Sequence, residues 1–89
     1  MIPTKQQTRQ IILCARDEWG LIDAEMARLL VGDGRGGRGT YDKWVLPLDN
    51  PDLRKASEAA IRHIETLRML AERCPSAFKI RVEEAKKTT

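Results

Sequence analysis

Eighty-nine residues with a formal net charge of +3 and 33% charged side chains describe one mildly basic domain, with room for a modest core but not for a two-lobed catalytic cleft. No apolar run approaches the roughly 18 residues that cross a bilayer, and the stretch MIPTKQQTRQ has no signal-peptide core, so a cytoplasmic location is expected and membrane attachment is not. Cys14 and Cys74 lie far apart, each inside an expected helix, a pattern that suits reduced, buried thiols better than a disulfide scaffold.

The first helix is expected to start at Thr4, which forms a capping box with Gln7, and to stop at Gly20. Ile12, Ala15 and Trp19, with Ile11 beside them, make its core-facing stripe, and Arg9, Gln10, Asp17 and Glu18 its polar back. The second helix starts after Ile22, with Asp23 as N-cap, Glu25 at the positive end of the dipole and Ile22 stapled onto Ala27. Met26, Ala27 and Leu30 face inward. Past Val31 the glycines at 32, 34, 36, 37 and 39 force a loop, because each costs about 1 kcal/mol inside a helix.

A short third helix is expected over about 40–46, capped by Thr40 and stopped by Pro47, with Tyr41, Trp44 and Val45 on its packing face and Asp42 and Lys43 outside. Asn50 with Pro51 and Asp52 predicts the start of a long fourth helix, about 52–73, striped by Leu53, Ala56, Ala60, Ile64, Leu67 and Ala71. Pro75 ends it. Ser76 then caps a last helix over about 77–87, whose apolar line is Phe78, Val82 and Ala85. Nothing alternates with period two, so the expected fold is all-α: a single five-helix domain whose helix-turn-helix, about 23–46, has an extended glycine-rich turn.

A helix-turn-helix lays its second helix in the major groove, with the N-terminal residues at base edges and the preceding turn on phosphate. That geometry assigns Arg35 and Arg38 to the DNA backbone and Thr40, Tyr41, Asp42 and Lys43 to bases or phosphates. The competing reading makes Arg35, Arg38 and Lys43 ordinary solvated charges, partly cancelled by Asp33 and Asp42. Gly32, Gly34 and Gly37 match G-x-G-x-x-G, but after a helix instead of a strand, which argues against a dinucleotide site. Arg35-Gly36-Gly37 is one isolated RGG triplet. His63 has no catalytic partners near it in sequence, and Cys14 and Cys74 have no zinc-ligand spacing. No enzyme, metal or cofactor is expected. Trp19 and Trp44, at helical positions inside apolar stripes, read as core.

Trp19-Gly20-Leu21, the run DAEMARLL from Asp23 to Leu30, the string Thr40-Tyr41-Asp42-Lys43-Trp44 and the long LRKASEAAIRHIETLRML segment resemble the N-terminal helix-turn-helix region of Xre/MbcA/ParS-type antitoxins, over roughly residues 11–74. Members of that family repress their own promoters as dimers and neutralise a toxin through a separate C-terminal domain. The resemblance implies DNA contact by Arg38, Thr40, Tyr41 and Lys43. The turn VGDGRGGRG is longer than the family's, and the chain stops near where the toxin-binding domain would begin, so toxin neutralisation is not implied.

Two functions compete on this reading. One is a small sequence-specific regulator, a repressor binding double-stranded DNA as a homodimer. The other is a phage- or mobile-element-encoded inhibitor or adaptor that binds a host protein and no DNA, with toxin binding a third possibility. The long amphipathic fourth helix fits either.

Overall fold

The computed structural model describes residues 3–32 and 37–87, and these form five helices with no strand among the described residues. In chain order they are α1 (Lys5–Glu18), α2 (Asp23–Leu30), α3 (Gly37–Trp44), α4 (Glu58–Arg73) and α5 (Pro75–Lys86). The all-α expectation therefore holds. None of these helices is long and apolar enough to cross a membrane.

α1 begins and ends as its residues dictate. Gln7 N–H donates to Thr4 Oγ1 at 3.2 Å and Thr4 N–H to Gln7 Oε1 at 2.8 Å, closing the capping box. At the other end Gly20 takes φ +66, a left-handed conformation that costs a residue with a Cβ about 1–2 kcal/mol. That turn lets Leu21 N–H reach Arg16 O at 3.0 Å and Gly20 N–H reach Asp17 O at 3.2 Å, while the Leu21 side chain enters the core.

α2 is capped differently from the expectation. Ile22, not Asp23, is the N-cap, and its N–H donates to Glu25 Oε1 at 2.9 Å. Asp23 occupies the first helical position, which leaves its carboxylate free to bond elsewhere. Ile22 is 63% exposed, so no staple onto Ala27 forms. α3 starts at Gly37, three residues before Thr40, which lies inside the helix and does not cap it.

The largest difference lies between α3 and α4. Asn50, expected to open the fourth helix, turns its side chain onto Asp52 N–H at 2.8 Å and its carbonyl onto Leu53 N–H at 3.1 Å, making a turn. Residues 51–57 then run as a non-helical strap whose Leu53 and Ala56 are each 2% exposed. Tertiary bonds hold it: Arg54 N–H donates to Lys43 O at 2.8 Å, and Ala56 N–H to Thr8 Oγ1 at 3.1 Å. Helix α4 starts only after Ser57, whose Oγ accepts Ala60 N–H at 3.1 Å, and so spans about 24 Å instead of the expected ~30 Å. α5 also starts early, with Pro75 at its first position and Cys74 as N-cap, which places Ser76 inside the helix.

The core gathers Ile12 and Ala15 from α1, Leu21 of the turn that follows it, Met26 and Ala27 of α2, Tyr41 and Trp44 of α3, Ala56 of the strap, and Ala60, Ile61 and Ile64 of α4. α5 lies against α2 and α4, burying Ala85 with Val82 packed on the core. Trp19 meets Phe78 edge-on, 5.3 Å between ring centroids. Both cysteines are exposed free thiols, which corrects the expectation of burial: the apolar faces of α1 and α4 turn elsewhere.

Thr8 is the one buried polar residue among the described residues, fully covered, accepting from Ala56 N–H and donating to Lys5 O at 3.2 Å. Thr8→Val keeps the shape and removes the acceptor, stranding a buried N–H. A loss of about 1–3 kcal/mol is expected in urea unfolding, and a neutral substitution would show that the strap is not held through Thr8.

Candidate nucleic-acid interface

Helix α3 divides sharply by burial. Tyr41 is 0% and Trp44 7% exposed, whereas Arg38, Thr40 and Lys43 are exposed and Asp42 is half-buried. With 3.6 residues per turn, Tyr41, Trp44 and Val45 share the inward side and Thr40 and Lys43 the outward one. Tyr41, expected near bases or phosphates, is therefore corrected: a side chain with no accessible surface touches no DNA. It anchors the helix from beneath.

Tyr41's hydroxyl donates to Asp23 Oδ1 at 2.9 Å, and Asp23 also receives Arg16 NH1 at 2.9 Å. Arg16 bonds Asp17 as well, at 3.0 Å. The first position of α2 is thus clamped to α3 and to the last turn of α1. Burial alone would push the Asp23 carboxyl up. The hydrogen bonds from Arg16 and Tyr41, with the charges of Arg16 and Arg38, outweigh it and hold Asp23 below its ordinary value. Burial, followed by the bond to Asp23, pushes the Tyr41 phenol far above its ordinary value of about 10.

The raised Tyr41 value fixes a sign. The unfolded phenol ionises near pH 10 and the folded one does not, so its contribution is full below about pH 10 and is lost as pH rises beyond it. Stability measured by chemical denaturation at stepped alkaline pH is expected to fall from about pH 10 upward, and Tyr41→Phe to flatten that fall. An identical slope in the variant would contradict the assignment.

On the flank beside Tyr41, Arg38 Nε meets Asp42 Oδ1 at 2.8 Å, an i,i+4 pair with side chains 56% and 48% exposed. Such pairs are worth about 0–1 kcal/mol, so a phosphate can take the guanidinium from Asp42 at little cost. Asp42 serves here as Arg38's resting partner. Lys43 makes no ion pair among the described residues. Arg35, with Asp33, Gly34 and Gly36, lies outside the described residues.

The C-terminal end of α3 is held by groups that periodicity did not single out. Arg9 Nε donates to Leu46 O at 2.7 Å, and Arg54 N–H to Lys43 O. Lys43 O is one of the carbonyls that the helix end leaves without an internal partner, and Arg9, bound two residues past that end, brings positive charge near the negative end of the dipole.

No protein-family model, curated protein or solved structure matches this chain. α2 packs against α3, joined by residues 31–36, longer than the 3–4 residues of a usual helix-turn-helix turn. Gly32 closes α2 with φ +94 and Gly37 opens α3, so the glycine triplet, whose Gly34 lies outside the described residues, follows a helix and not the strand of a dinucleotide site. His63 is half-buried on α4, and no cluster of three metal-ligating side chains occurs among the described residues.

Proposed function

We propose that this protein binds double-stranded DNA through the outward side of α3 and acts as a small transcriptional regulator, a repressor of the promoter it occupies. The observation that carries the reading is the division of α3: an aromatic pair sunk in the core, with Arg38 exposed on one flank of the helix and Thr40 and Lys43 exposed on the other. A helix that reads a groove needs that arrangement, because its anchor and its reading side chains must not compete for the same face. Packing of α2 on α3 supports it, as does the resemblance to Xre-like antitoxin helices.

Arg38 and Lys43 contact phosphate or guanine edges, and Thr40 contacts a base or phosphate. Eight residues of α3 span about 12 Å, too little of the groove for useful specificity, so the active species is a homodimer reading two half-sites. A mobility-shift titration against the DNA upstream of its own gene tests the reading. Retardation that weakens steeply with added salt is expected; a chain that shifts neither this duplex nor an unrelated one is not a DNA-binding protein.

Met69, 49% exposed on α4, and Ile80, 57% exposed on α5, favour a second reading in which the α4–α5 hairpin docks on a protein. In that case the protein retains its biological activity when Arg38 and Lys43 are both replaced by alanine.

A further inference from the structure

We propose that the strap between α3 and α4 is a second phosphate-contacting element, with Arg54 and Lys55 gripping the backbone of the same duplex that α3 reads; this rests on the DNA-binding reading of α3.

Four observations lead there. Leu53 and Ala56, each 2% exposed, pin the strap to the core on either side of Arg54 and Lys55, which are both exposed. The bond from Arg54 N–H to Lys43 O, 2.8 Å, fixes Arg54 against the last turn of α3. The bond from Ala56 N–H to Thr8 Oγ1, 3.1 Å, fixes the following end to α1. Finally, neither Arg54 nor Lys55 makes an ion pair among the described residues: Glu58 is engaged by Arg62, and the exposed Asp49 and Asp52 of the preceding turn pair with neither cation.

Adjacent cations without an ion-pair partner add little to the fold, and their mutual repulsion mildly opposes it. The Arg54 N–H bond to Lys43 O sets the backbone of this pair next to the C-terminal end of α3, so that Arg54 adds a cation just past Lys43. An anchored strap has little backbone freedom left to lose on binding, which lowers the ordering cost of each phosphate it meets. Phosphate contacts of this kind set register and orientation and carry no sequence information. The partner is a polyanion that runs past the end of α3, and duplex DNA already lying along that helix has the required continuity.

The test compares the full chain with R54A/K55A and R54K/K55R, on the upstream duplex and an unrelated one, over a series of salt concentrations. R54A/K55A is expected to lower the slope of log affinity against log salt by about 0.9 for each phosphate left without its cation, to weaken both duplexes by the same factor, and to melt at the wild-type temperature. R54K/K55R is expected to keep the wild-type slope. An unchanged slope in R54A/K55A, with wild-type binding intact, overturns the strap's role and leaves the reading of α3 standing. Failure of the wild type to bind either duplex overturns both. Binding of poly-glutamate that R54A/K55A abolishes, in a wild type that ignores DNA, assigns the cations to an acidic protein and overturns the proposal.

Discussion

Tyr41→Ala is expected to destabilise the protein by about 3–5 kcal/mol, the scale of truncating a fully buried aromatic ring. Tyr41 is the largest fully buried side chain among the described residues, and its removal acts twice. The absent ring leaves a cavity between α3 and the rest of the core, and the departing hydroxyl takes a donor from Asp23. A domain of this size has a total stability of about 4–13 kcal/mol, so the variant sits near the edge of folding. Tyr41→Phe separates the two effects, since it keeps the ring and removes the bond, and about 1–2 kcal/mol is expected from it. Urea unfolding followed by circular dichroism gives both values. An alanine variant within about 1 kcal/mol of wild type would mean that α3 is not seated on Tyr41, and the division of that helix into buried anchor and exposed flanks would fall with it.

Replacing Arg38 and Lys43 together by alanine is expected to weaken DNA binding by roughly 10- to 1000-fold, the scale of one or two direct bonds to the duplex. Both side chains are exposed, and Arg38 forfeits only a surface pair with Asp42, so the melting temperature is expected to stay near wild type. The two single variants differ in kind. If Lys43 meets phosphate, its removal weakens all duplexes alike and lowers the salt slope by about 1, whereas a side chain reading a base relaxes preference at one position. Asp42→Asn is informative in the opposite direction, because it removes the carboxylate that holds Arg38 at 2.8 Å and repels phosphate. Tighter, less selective binding is expected from it. Fluorescence anisotropy with a labelled duplex reads all four variants, and an R38A/K43A protein that binds as well as wild type would contradict the assignment of α3.

What the residues announced and what they hid follow from how local each signal is. The Thr4–Gln7 capping box and the Gly20 stop are decided within a few residues of chain, and both form as expected. The same is true of the apolar line Phe78, Val82 and Ala85, which turns toward the core. Asn50-Pro51-Asp52 is an equally strong local start signal, yet the helix waits until Glu58. Bonds to Lys43 O and Thr8 Oγ1, distant in sequence, hold the intervening segment non-helical and let Leu53 and Ala56 fill the core from a strap.

Asp23 shows the same competition. It has the chemistry of an N-cap, and Arg16 and Tyr41 recruit it for a tertiary clamp while Ile22 takes the cap position. Tyr41 was legible in two incompatible ways, as part of a packing stripe with Trp44 and as a polar group able to reach DNA. Burial decides for the first. Arg54 and Lys55 gave no signal at all, since a helix starting at residue 52 would have put them on an ordinary solvated face.

DNA binding along α3 and the strap is tested most directly by titrating the isotopically labelled protein with duplex DNA from upstream of its gene and following backbone amide chemical shifts. Salt-sensitive shifts are predicted to concentrate at residues 38–43 and at Arg54 and Lys55, with the outer face of α4 and α5 around Met69 and Ile80 unmoved. Shifts confined to that α4–α5 face, or none anywhere on the chain, would contradict it.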